Sequence, residues 1–344
     1  EINRIICSWL YLEGDSEKGL YAQVPGKSST RRFQGIYFRC LITFYLSARN
    51  ANPEARLILF TNNKAAFIST KMNRTILNKL NQLNVEVIQI DYTFEPPKEQ
   101  KKWRNQFFVL NVMQSLLTIT NQADSIIILD SDIVWSGNER TETFWQDLYV
   151  NGFLNMTPIN NLNEVINGYT IASLELLSSR IGIQQQSTLE YAGGEFIAAK
   201  HENLKLIYQS ALTIWEKYKK LLESETLNFI EEAHLLSLVY SELGVPFGNA
   251  NDSVKRIWTQ VLHHNNRAST DLNLVCWHLP AEKRFGIRRT ANKYLQNDSL
   301  EWPKYQTSGW QNLIQQIGVT KPGPKKIFYD FCISGRDRIL NIFP

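Results

Sequence analysis

Through its first half the chain alternates between unbroken apolar runs and longer stretches with helical spacing. The runs are "RIICSWLYL" (4–12), "ARLILFTNN" (55–63), "VEVIQIDY" (85–92) and "SIIIL" (125–129). Between them lie "RRFQGIYFRCLITFYLSARN" (31–50), "AAFISTKMNRTILNKLNQL" (65–83) and, after the loop "TFEPPKEQ", "KKWRNQFFVLNVMQSLLTIT" (101–120). These carry apolar residues three and four apart, the period of a helix face. A strand covered on one face alternates in polarity, whereas one covered on both is apolar throughout. Four such strands separated by helices predict an α/β fold with a mostly parallel central sheet flanked by helices.

Past residue 150 the pattern loosens. "GFLNMTPI" (152–159) reads as a strand, and "EYAGGEFIAAK" (190–200) as a short strand around a double glycine. Two long helices follow, "HENLKLIYQSALTIWEKYKKLLES" (201–224) and "FIEEAHLLSLVYSELG" (229–244). "RIWTQVLHHN" (256–265) and "DLNLVCWHLP" (271–280) then read as paired strands. The expected organisation is a ligand-binding half over 1–150, a mixed half of the same domain over 151–290, and a helical C-terminal extension over 291–344. The tail "IFYDFCISGRDRILNIFP" (327–344) mixes Phe, Ile and Leu with Arg, which suits packing on the domain or peripheral contact with a membrane.

The 344 residues, 43% hydrophobic and 20% charged, describe a folded protein large enough for one big domain or two modest ones. A net charge of +4 is too small to argue for a nucleic-acid partner, and no basic helix interleaved with aromatics is visible. It does suit phosphate-bearing ligands or an anionic lipid surface. Cys7, Cys40, Cys276 and Cys332 are scattered, without CxxC spacing, and read as reduced, mostly buried thiols. No apolar run approaches the roughly 20 residues of a membrane span. The chain opens on Glu1 rather than Met, which leaves room for a removed N-terminal anchor. Sequons at Asn73, Asn155, Asn251 and Asn297 arise easily by chance in an Asn-rich chain. A cytoplasmic location is favoured, with the Golgi lumen as the alternative if an anchor was lost.

In "ADSIIILDSDIVWSG" (123–137) four strongly apolar residues run straight into Asp130-Ser131-Asp132, and three more follow. Charge is costly in such surroundings unless it is paired or holds a metal. Open parallel sheets bind ligands at the carboxyl ends of their strands, where this tripeptide falls. Strand periodicity puts Asp130 and Asp132 on one side and Ser131 on the other. Two adjacent carboxylates facing a crevice suit Mn²⁺ or Mg²⁺, whose other positions go to water and substrate phosphates. A helix cap or turn is the plainer alternative. Ligand contacts are also expected near the ends of the first strands, at Ser8, Trp9 and Tyr11, at Thr61 and Asn62, and at Arg104 where a helix opens.

"IIILDSDIVWSG", closing the alternating half, resembles the DxD signature of nucleotide-sugar glycosyltransferases of the GT-A fold. That resemblance implies a Rossmann-like sheet with a mixed acceptor-side half, and a metal held by Asp130 and Asp132 on the diphosphate of a donor such as a UDP-hexose. Ser131 joins the donor contacts. "EYAGGEFIAAK" followed by "FIEEAHLLSLV" is similar in order and spacing to retaining transferases of the blood-group type. By that likeness Glu232, with Glu231 beside it, supplies the catalytic carboxylate, and Gly193, Gly194, Glu195 and His234 border the sugar or acceptor. Glycine lets a ring approach the backbone; a core bulge and first-turn acids favoured by the helix dipole are the alternatives. "VCWHLPAEKRFGIRR" (275–289) looks like the HxxGxxK segment of family 8 transferases, one residue shorter and without the glycine. It implies His278 as third metal ligand and Lys283 on the diphosphate, against a core His beside a solvated basic face.

These likenesses lean toward retention of anomeric configuration and imply a glycan, protein or lipid hydroxyl as acceptor. Two other readings stay open. Asp130-Ser131-Asp132-Ile133-Val134 also fits the nucleophile motif of haloacid-dehalogenase-type phosphatases, although that motif normally closes the first strand of its domain. A catalytically inactive sugar-binding protein on the same fold is the other.

Overall fold

The computed structural model describes residues 3–15, 17, 21, 24, 26–96, 104–158, 163–224, 230–244, 248–261 and 264–332. The first half forms the expected strands and helices: β1 (Asn3–Leu10), α1 (Arg31–Ala51), β2 (Arg56–Thr61), α2 (Lys71–Gln82), β3 (Val85–Gln89), α3 (Phe108–Ile119) and β4 (Asp124–Leu129). Two expected helices start later than their apolar spacing suggests. Residues Lys64–Ile68 form a separate 3₁₀ turn, because the Thr70 hydroxyl accepts from Asn73 N–H and caps α2. Likewise Arg104–Phe107 is a 3₁₀ turn before α3, and 101–103 lie outside the described residues.

The second half adds β5 (Ile133–Trp135), α4 (Thr141–Asn151), β6 (Phe153–Asn155), α5 (Ile171–Arg180), β7 (Phe196–Lys200), α6 (His201–Ser224), α7 (Glu232–Leu243), β8 (Gly248–Asn249), β9 (Val254–Arg256), β10 (Cys276–His278), α8 (Gly286–Gln296) and α9 (Ser308–Gln316). A seven-stranded sheet runs in the order β3-β2-β1-β4-β7-β6-β8. β3, β2, β1 and β4 are mutually parallel; β7 pairs antiparallel with β4, and β6 antiparallel with β7. The fold is thus α/β, mostly parallel in its first half and mixed in its second. The expected pair after residue 250 exists, but it is short: β9 ends at Arg256 and pairs in parallel with β10.

Alternate residues of the central strands feed two separate cores. From β4, Ile127 and Leu129 join Phe38, Leu41 and Trp135 on one face, while Ile126 and Ile128 join Phe108, Met113 and Trp215 on the other. All six β4 residues are buried, which is why the run carries no polar alternation. The C-terminal helices belong to the first core through Ile287, Trp310 and Ile314. The Thr43 hydroxyl donates to Ile287 O and Arg39 Nε to Asn292 Oδ1, tying α8 to α1. No described helix is long and apolar enough to cross a membrane. Cys7, Cys40 and Cys276 are buried and free, as expected, whereas the free Cys332 is exposed.

Candidate active site

The acidic tripeptide sits where β4 ends, but as a tight turn rather than extended strand. Asp130 C=O accepts from Ile133 N–H at 3.1 Å, and Asp130 N–H donates to Glu195 O at 3.1 Å. The turn overrides strand alternation, so Ser131 lines the same cavity as its two neighbours. The chain then reverses into β5, whose antiparallel partner β10 sets His278 opposite Ile133. His278 Nε2 therefore lies 3.1 Å from Asp132 Oδ2 and 4.0 Å from Asp130 Oδ2. One ligand atom from each of Asp130, Asp132 and His278 falls within 4.8 Å of the others. Lys283, in the loop beyond β10, puts Nζ 3.0 Å from Asp132 Oδ2.

The charges here are strongly perturbed. Burial alone would raise the Asp132 carboxyl, but Lys283 and His278 outweigh it and hold Asp132 well below the usual carboxylate range. Burial and then the like charge of Asp132 push Asp130 up to about 6. For His278, burial favours the neutral ring, yet Asp132 and Glu195 prevail and raise it to about 9. A divalent cation fits this donor set. Two carboxylates and an imidazole are a donor set that divalent cations take, and Lys283 beside Asp132 supplies compensating positive charge.

A cavity opens beside the trio. Trp9 and Tyr11 form part of its wall, together with Gly194, Glu195, Glu231, Glu232 and Lys283. Of the two acids at the start of α7, Glu231 is fully engaged, accepting from Tyr191 Oη at 2.7 Å and Asn167 Nδ2 at 2.6 Å. Glu232 is the available one. Its Oε2 is buried without a partner, and burial, then Glu231 and Asp130, raise its carboxyl well above the ordinary value. Asn105 and Gln106, also on the wall, each bury a side-chain oxygen without a partner. Buried polar atoms are normally satisfied, so three orphans on one cavity wall point to a ligand that satisfies them.

Several expected contacts fall elsewhere. Ser8 is fully buried within β1, before the strand reaches the cavity. Thr61 accepts from Asn63 N–H, and Asn62 clasps the backbone N–H and C=O of Leu12, so Asn62 braces the loop after β1. Arg104 is buried against Pro96 O and Glu95. His234 accepts from Glu231 N–H through Nδ1, serving the α7 cap, and lies 3.0 Å from Ile166 O through Nε2, tying the helix to the 166–169 segment. Gly193 and Gly194 leave space that protein fills: a Cβ would meet Met156 Cε at 2.3 Å from Gly193 and Glu232 Oε1 at 2.5 Å from Gly194. Glu195 pairs its carboxylate with His278 and Arg256.

Sequence reasoning missed Arg256, which becomes the neighbour of His278 only through the β9–β10 register. It also missed Glu13, which accepts from Tyr21 and Ser28 on the cavity wall. A Glu directly after the first apolar run was the one available signal.

No family model matches the sequence, and no curated protein does. Among solved structures, the chain is similar to the galactosyltransferase LgtC in complex with donor and acceptor sugar analogs, at 11% identity and a TM-score of 0.45. It is similar also to an active-site mutant of LgtC, at 11% identity and a TM-score of 0.47. Each alignment covers 94% of this chain and 99% of the other, and both are too distant to say which reaction this chain performs.

Proposed function

We propose that the chain is a metal-dependent glycosyltransferase that moves a sugar from a nucleotide-diphosphate donor to a hydroxyl acceptor. The observation that carries this reading is the convergence of Asp130, Asp132 and His278 within 4.8 Å at the carboxyl edge of the parallel strands, beside a cavity with orphaned polar atoms. These three residues would hold Mn²⁺ or Mg²⁺, which supplies electrostatic stabilisation to a leaving diphosphate. Lys283 stands beside Asp132 as a fixed positive charge for the same developing anion. Trp9 and Tyr11 offer aromatic surface to a base, and a UDP-hexose is the donor we favour. Glu232 faces the transferred sugar. We favour a retaining scheme in which the departing phosphate takes the acceptor's proton.

The phosphatase reading requires Asp132 to deliver a proton. Lys283 and His278 instead favour its ionised form, which argues against that role. The test is incubation with UDP-, GDP- and CMP-sugars plus Mn²⁺, beside a generic phosphoester. Metal-dependent release of nucleoside diphosphate supports the transferase. Phosphate release from the phosphoester alone would favour the phosphatase, and binding of a donor without turnover the inactive sugar-binding protein.

Peripheral attachment to an anionic lipid surface is part of the same reading. Helical residues 324–332 are amphipathic in the inverted sense: Lys326 and Asp330 are buried, with Lys326 paired to Glu282 at 2.9 Å and Asp330 accepting from Val261 N–H. Phe328 and Phe331 are 73% and 61% exposed, with Lys321 and Lys325 exposed alongside. An apolar face flanked by lysines has the chemistry of an interfacial helix. Residues 333–344 of the tail lie outside the described residues.

A further inference from the structure

His278 is held from both edges of its ring. Nε2 lies 3.1 Å from Asp132 Oδ2, while Nδ1 lies 2.9 Å from Glu195 Oε1. Glu195 is in turn gripped by Arg256, whose Nε donates to Oε1 at 2.6 Å and whose terminal nitrogen pairs with Oε2. We propose that Glu195, clamped by Arg256, is a positioning residue for the metal trio, fixing the His278 ring with Nδ1–H turned away and Nε2 aimed at Asp130 and Asp132.

Four features support this assignment, which rests on the metal reading above. The Glu195 backbone carbonyl accepts from Asp130 N–H, so one residue steadies two of the three candidate ligands. Arg256 and His278 are register partners on β9 and β10, which puts the guanidinium and the imidazole beside one carboxylate. Gly193 leaves room for that carboxylate, since a Cβ there would come within 3.0 Å of Glu195 Oε2. Glu195 is 4% exposed, and Arg256 engages both of its oxygens, which holds the carboxylate in place against Nδ1. A carboxylate behind a ligating histidine selects the tautomer whose other nitrogen keeps its lone pair for the metal. An ion pair serving stability alone would need Arg256 and Glu195, without either link to the ligands.

The test is Mn²⁺ titration of wild type, Glu195→Gln and Arg256→Lys, reading free Mn²⁺ by electron paramagnetic resonance, with circular dichroism to confirm folding. Glu195→Gln is expected to weaken Mn²⁺ binding about 10–100-fold, the usual effect of losing such a partner. Its turnover is expected to recover as Mn²⁺ is raised to saturation, a split that a structural role would not produce. A folded Glu195→Gln protein with wild-type Mn²⁺ affinity would overturn the proposal. If that variant does not fold, Arg256→Lys carries the test: it keeps the charge and loses the bidentate grip, so weaker Mn²⁺ binding supports positioning and unchanged binding overturns it. Wild-type protein that takes up no Mn²⁺ would overturn the metal reading itself, and this inference with it.

Discussion

Replacing Gly194 by alanine separates packing from chemistry at the cavity wall. The new Cβ would lie 2.5 Å from Glu232 Oε1 and 3.1 Å from both Cδ and Cγ of the same residue. To reach the 3.4 Å of ordinary contact, the carboxyl must retreat by about 0.9 Å. Glu232 is 8% exposed and cannot swing freely into solvent. Overpacking of this kind costs about 1–3 kcal/mol. Removing a glycine returns about 0.4–1 kcal/mol through the unfolded chain. The net expectation is a destabilisation on the order of 1–2 kcal/mol, a melting temperature lower by a few degrees. If Glu232 faces the reacting sugar, a shift of this size also lowers turnover about 100-fold. Thermal unfolding and metal-dependent release of nucleoside diphosphate, measured on one preparation, read the two effects separately. An alanine variant with wild-type melting and wild-type turnover would refute the reasoning. Lower melting with undiminished turnover would keep the packing and remove Glu232 from the chemistry.

Three other outcomes are expected. Glu232→Gln is close to isosteric with a protonated carboxyl; a raised folded-state pKa withdraws stability as pH rises above the unfolded value of 4.5. The Gln variant should therefore match or exceed wild type in denaturant melts at pH 8, with a stability advantage that grows with pH. His234 has a lowered folded-state pKa, chiefly through burial, so the stability held by its neutral ring is present above its ordinary 6.5 and is lost as pH falls. His234→Gln keeps an acceptor for Glu231 N–H, and its stability deficit relative to wild type should shrink from pH 7.5 to pH 5 in denaturant titrations. Phe328→Ser with Phe331→Ser should reduce co-sedimentation with vesicles containing phosphatidylglycerol and leave turnover on soluble acceptors unchanged; undiminished sedimentation would exclude this helix as the attachment site.

The strand–helix alternation was legible because burial on both faces of the sheet demands apolar runs, and β1, β2, β3 and β4 all appear where those runs lie. Asp130 and Asp132 stood out because charge interrupts such a run, and His278 because a histidine at an apolar strand end precedes Lys283. The remaining wall was hidden for a physical reason. Glu13, Asn105, Glu195 and Arg256 come from four separated segments, and only strand register and turn geometry bring them together. Asn62 and Arg104 show the opposite limit of a sequence pattern: polar residues in favourable positions also bond to backbone groups nearby. The double glycine pointed to a close approach, and Met156 and Glu232 are the protein groups that come near it. Lys64–Ile68 departs from α2 for a local reason, since Thr70 caps the helix after it.

Anomalous diffraction at the manganese edge, from crystals grown with Mn²⁺ and UDP, tests the metal assignment most directly. The expected result is one strong peak bounded by Asp130, Asp132 and His278 and touching the diphosphate, absent from the Asp132→Asn protein. A UDP-bound crystal with no peak there, or with the peak elsewhere on the molecule, would contradict it.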